Sequence, residues 1–170
     1  MVKTERLDTL KRACEEAVDL FKPVLGTDGG DTITKCNWSV HAISSKMGFS
    51  GFYDMMANQI VDRMTNAPDF AEVSPEAAQN LANDGRLVIA GVKDDPHGHV
   101  AVCYPGSTCY SGKWREAAPM TANAGLHNGI KSANYSFGAI KPKYWTWIEE
   151  TKHDLEANDG LGSAKEGGSV

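Results

Sequence analysis

The chain is short of basic charge. Seventeen Lys and Arg stand against twenty-two Asp and Glu in 170 residues, giving a formal net charge of −5. Phosphate contacts are made largely by Lys and Arg, so the composition argues against a nucleic-acid binder relying on a broad basic face. Long apolar runs are missing too. Nothing approaches the roughly 18 apolar residues that a membrane-spanning helix needs. The opening Met1-Val2-Lys3-Thr4-Glu5-Arg6 is charged, and no apolar signal core follows it. Synthesis in the cytoplasm without a signal peptide, and no membrane insertion, are the resulting expectations. Cysteine is sparse. None of Cys14, Cys36, Cys103 and Cys109 forms a CxxC pair, so neither a zinc ribbon nor a thioredoxin-type motif is expected. There is no internal repeat.

What is present suits one soluble core. Hydrophobic residues make up 41% and charged residues 23%, an ordinary globular balance for a chain of this length. A single domain over 1–157 is expected. The tail, 158–170, is dominated by Gly, Ser, Ala and charge and is expected to be disordered.

Leu7, Leu10, Cys14, Ala17, Val18 and Phe21 recur at helical spacing, and Pro23 ends that run. A second helix is predicted from about Thr34 to Gly48 and a third over about 54–65. Ser74-Pro75-Glu76 opens a fourth, with Ser as cap and Pro at the first helical position. Phe70–Val73 reads as a connector. The texture then changes. Arg86–Val92 and His99–Tyr104 read as strands around a turn, followed by strand-like segments near 118–124, 135–138 and 144–148. Helices first and an antiparallel meander afterwards make an α+β fold.

Two residues stand out chemically. Cys36, in Thr34-Lys35-Cys36-Asn37-Trp38-Ser39-Val40, falls in the first turn of a helix and on its apolar side. Unpaired N–H groups and the positive end of the helix dipole there favour a thiolate. His99, in Gly98-His99-Val100-Ala101-Val102, opens a strand and can take the thiol's proton. Gly98 lets the backbone pass close to that site. An imidazole base needs a polar group on its far nitrogen. Asn123, one strand on, is expected in that role, with Asn128 as the alternative. His41, five residues after Cys36, projects about 140° away on a helix.

Cysteine at a helix start, a histidine opening a strand as Gly-His-Val-Ala-Val, and a polar residue one strand later resemble the NlpC/P60 and CHAP group of papain-like cell-wall hydrolases. Met-Ala-Asn-Gln-Ile at 56–60 adds to the likeness, which spans roughly residues 30–140. The resemblance implies a papain-like fold, with N-terminal helices packed on an antiparallel sheet. It implies a cysteine peptidase or amidase acting on peptidoglycan without a metal or other cofactor. The bond would lie in the stem peptide or between glycan and stem, as for an N-acetylmuramoyl-L-alanine amidase. Cys36 would be the nucleophile and His99 the base. Many members carry His, Gln or Glu in the third position, where this chain offers Asn123. The resemblance also suggests that the third helix lines the cleft, with Tyr53, Asp54 or Asn58 touching the peptide. Similar domains occur among effectors of type VI secretion. The expected setting is the periplasm or cell wall, reached by specialised export or lysis, with an immunity protein as partner if the chain is a toxin.

Plainer readings stand beside these. Cys36 could be an inert buried thiol on a non-catalytic binding module. His97, His99, Cys103 and Cys109 could hold zinc, although their spacing follows no zinc pattern. Cys103 and Cys109 could close a disulfide loop or remain two free thiols. Asn58 and Gln59 could simply cap or solvate their helix.

Overall fold

The computed structural model describes residues 2–25 and 32–148. The expected tail therefore lies outside the described residues.

Helix α1, Lys3–Leu20, buries Leu10, Ala13, Cys14 and Ala17, one stripe at helical spacing. Helix α2 is Cys36–Lys46 and α3 is Ala57–Asn66. Both start two to three residues later than their apolar spacing predicts. For α3, the Gln59 side chain accepts from the Met56 N–H (2.8 Å) and sets the start. Phe70–Val73 is strand β1 rather than a connector, because its ladder is completed by a strand from the far end of the chain. Helix α4, Pro75–Asn83, begins as expected: Ser74 Oγ accepts from the Ala77 N–H and Pro75 opens the first turn.

Strands β2, Val88–Val92, and β3, His99–Cys103, form a hairpin. β4, Cys109–Ser111, and β5, Glu116–Ala118, make a small separate ribbon. β6, Met120–Asn123, and β7, Gly129–Ser132, form a second hairpin on the main sheet. Helix α5, Ala133–Phe137, follows directly. The aromatic spacing of Tyr135 and Phe137 suggests a strand, but Ala133 and Phe137 are four apart on one buried helical face. β8 is Lys143–Trp147.

The main sheet runs β1-β8-β2-β3-β6-β7, antiparallel throughout. It is not a simple meander, since β8 is inserted between β1 and β2. Alternation along the central strands divides the core. Ile89, Val102 and Trp145 are in register and face α1, α2 and α3. Their neighbours Ala90, Ala101 and Tyr144 face α4 and α5. The α+β class is thus realised with helices on both faces of the sheet. Cys103 is fully buried on the second face while Cys109 is exposed, and both thiols are free, so no disulfide closes the 103–109 turn.

Candidate active site

Helix α2 begins on Cys36 itself. The residue before it, Lys35, supplies no side-chain cap. The first N–H groups of the helix are therefore left for another acceptor. Those of Cys36 and Asn37 favour the charged form of the Cys36 sulfur.

A third N–H with this effect comes from the sheet, and the register explains it. The Tyr104 N–H donates to the Met120 carbonyl (2.8 Å). The two-residue repeat of an antiparallel ladder turns the N–H groups of Val102 and Val100 the same way. The β3–β6 ladder joins Val102 to Ala122 and Cys103 to Thr121. At Val100 it has run out, and the Val100 N–H instead favours the charged form of the Cys36 sulfur. Cys36 is only 7% exposed. Burial pushes its thiol above the ordinary value, while the N–H groups of Val100, Asn37 and Cys36 pull it back.

His99 is the residue before Val100, and its ring stands edge-on to Phe137 with centroids 4.8 Å apart. Its Nε2 is 2.7 Å from Asn123 Oδ1. Asn123 is fully buried and donates from Nδ2 to the His127 carbonyl (3.0 Å). A carbonyl can only accept, so the amide is oriented with its oxygen toward His99. That makes Nε2 the protonated nitrogen of a neutral ring and leaves the Nδ1 lone pair free. Burial lowers the His99 pKa below the usual imidazole value, and the bond to Asn123 partly restores it. Near neutral pH the resting pair is a thiol and an uncharged imidazole. Among the described residues no hydrogen bond joins them, and Nδ1 has no protein partner.

Gly125 is required by this arrangement. A Cβ there would stand 3.0 Å from His99 Cε1 and 3.2 and 3.3 Å from the Asn123 amide atoms. Asn128, the other expected orienter, is elsewhere: its Nδ2 donates to the Val18 carbonyl on α1 (2.9 Å).

Two cavities open at the site. One, of about 380 Å³, is walled by Cys36, Asn37, Met56, Asn58, His97 and Gly98. The other, of about 350 Å³, is walled by His99, Gly125, Leu126, Tyr135 and Phe137. Thr32 and Thr34 line both.

Of the expected substrate contacts, Asn58 lines the Cys36 cavity but is already engaged. Its Nδ2 donates to the Asp94 carbonyl (2.9 Å) and its Oδ1 accepts from the Asp94 N–H (3.3 Å), which pins the β2–β3 loop. A side chain at Gly98 would collide with that same Oδ1. Asp54 lines a smaller hollow beside the cleft, with Asn37, Trp38 and Met56. Tyr53 is 74% exposed and packs against the His41 ring. Neither Tyr53 nor Asp54 walls the Cys36 cavity. The zinc set is not assembled: among the described residues, no group of three or more His, Cys, Asp or Glu could hold a metal. No helix among them is long and apolar enough to cross a membrane.

Sequence reasoning missed Gly125, Phe137 and the His127 carbonyl. Only Gly125 left a trace, two residues after Asn123 in Asn123-Ala124-Gly125. It missed Asn37 as well, whose Nδ2 donates to the Met55 carbonyl (3.0 Å) and ties α2 to the segment before α3.

No family model matches the chain, and no curated protein matches it. The likeness to the NlpC/P60 and CHAP group therefore rests on the motifs around Cys36 and His99.

Proposed function

We propose that the protein is a papain-like cysteine hydrolase that cleaves an amide bond in bacterial peptidoglycan, in the stem peptide or between glycan and stem. One observation carries the hydrolase reading: the Asn123 amide, held by a backbone carbonyl, accepts from His99 Nε2 and leaves Nδ1 free at the start of β3, as a base held by its orienter requires. The choice of peptidoglycan rests on the motif resemblance.

The steps follow from the two neutral groups. Cys36 gives its proton to His99 Nδ1 as the sulfur forms a bond to the amide carbonyl carbon. The carbonyl oxygen takes the displaced electron pair and is held by the Cys36 N–H and a group from the preceding loop. The C–N bond then breaks, and His99 returns the proton to the leaving nitrogen. Water, giving a proton to His99, hydrolyses the thioester and frees the thiol. Asn123 keeps the ring in the required tautomer throughout. Metal is not needed in this scheme. In this reading the protein reaches the wall by specialised export or lysis, and an immunity protein accompanies it if it serves as a toxin.

The test is digestion of purified cell walls, with products identified by mass spectrometry. Wild type releases defined fragments and Cys36→Ala does not. A Cys36→Ala protein that digests walls as fast as wild type overturns the proposal. A second reading, a non-catalytic binding module, draws on the burial that pushes the Cys36 thiol up. It predicts no fragments from wild type, and alkylation of Cys36 by iodoacetamide no faster than that of Cys14.

A further inference from the structure

Cys36 lines one cavity and His99 the adjoining one, and the chemistry of amide cleavage assigns a half of the substrate to each. Sulfur bonds to the acyl carbon, so the acyl half must lie in the cavity that holds Cys36. The base must reach the departing nitrogen to return the proton, so the amine half must lie in the cavity that holds His99. The scissile bond then lies where the cavities adjoin, beside Thr32 and Thr34, which line both.

We infer that the His99 cavity is the amine-side subsite and that Tyr135 and Leu126 recognise the leaving residue through its aliphatic portion. This rests on the hydrolase reading above. Tyr135 is 65% exposed and Leu126 70% exposed, and both wall the cavity beside His99 and Gly125. Two large apolar side chains held open at the mouth of a site suit contact with a hydrocarbon chain. The hydrogen side chain of Gly125 keeps the floor of this cavity clear, as a methyl there would press on the imidazole. On the acyl side, the matching exposed wall is Met56, 54% exposed.

The two products of one digestion separate the subsites. Wild-type protein is used to digest muropeptides, and the amine-bearing and carboxylate-bearing products are purified and added back as inhibitors. For Tyr135→Ala and Leu126→Ala, the inhibition constant of the amine-bearing product rises about five- to tenfold, the loss of one good apolar contact. That of the carboxylate-bearing product stays within twofold. Met56→Ala shows the reverse pattern. The three side chains are exposed, so the variants keep the fold, and circular dichroism confirms it before use. Alkylation of Cys36 by iodoacetamide is unchanged in Tyr135→Ala and Leu126→Ala, whose side chains lie outside the Cys36 cavity. If Tyr135→Ala and Leu126→Ala leave the amine product's constant unchanged, or raise both constants equally, the assignment is overturned. If wild type yields no products and Cys36 is not alkylated selectively, it is the hydrolase reading that fails.

Discussion

Cys36 and His99 are held in place by different means. The sulfur is served by backbone: N–H groups at the start of α2 and one from β3, beyond the end of its ladder, favour its charged form. The imidazole is held by side chains and by a missing one: Asn123 on its edge, Phe137 against its ring and Gly125 leaving room at Cε1. Backbone support comes with the helix and the sheet and tolerates substitution around it. Side-chain support must be kept residue by residue. The surroundings of Cys36, the proposed nucleophile, should therefore be forgiving and those of His99, the proposed base, should not.

The largest effect removes the nucleophile itself. Cys36→Ala should lower wall digestion by about three orders of magnitude or more with melting temperature little changed, while substitutions of exposed Trp38 nearby should cost far less. Next comes the support of the base. Asn123→Ala should lower kcat by roughly 10- to 100-fold and also move the acid limb of the pH profile. The sign is fixed by the two opposing influences on His99. Burial holds its pKa below the ordinary imidazole value and the Asn123 bond raises it. Removing that bond shifts the limb to lower pH still. A limb that moves upward contradicts this account of the base.

Gly125→Ala should cost about tenfold in kcat through pressure on the imidazole and the amide. In an Asn123→Ala background the added cost should largely vanish, because the two changes act on the same ring. Full additivity in that double-mutant cycle would mean that Gly125 acts elsewhere. The smallest effect belongs to the other asparagine. Asn128→Ala removes a bond to α1 and should cost about 1 kcal/mol of stability, read from urea denaturation, with kcat and its pH profile unchanged.

The asparagines also show what was legible in the chain. Strand order favours Asn123 over Asn128, because an antiparallel neighbour of β3 brings a residue at that height beside His99. Cys36 and His99 were visible for the same reason: each sits at an element boundary that local spacing reveals. Gly125 and Phe137 were not, because their roles depend on distances across elements that no periodicity records. β1 was hidden by its length. Four residues carry too little alternation to mark a strand, and its partner β8 lies at the other end of the described chain. Tyr135 and Phe137 mislead because aromatic residues favour strands, whereas burial of Ala133 and Phe137 on one side makes a short helix. Asn58 faces the expected cleft, but its amide is spent on the β2–β3 loop, a contact that nothing in the local sequence announces.

The insertion of β8 between β1 and β2 has a consequence for biogenesis. Both strands emerge from the ribosome long before Lys143–Trp147, and each pairs with it. Until then they are bare edges carrying Phe70 and Ile89, the kind of surface that recruits foreign strands. Such long-range pairing also slows folding. A nascent chain arrested before Lys143 would be a client for chaperones rather than an enzyme. Assembly of the sheet thereby tests whether translation has passed Trp147, which sets a delay between synthesis of the chain and completion of its fold.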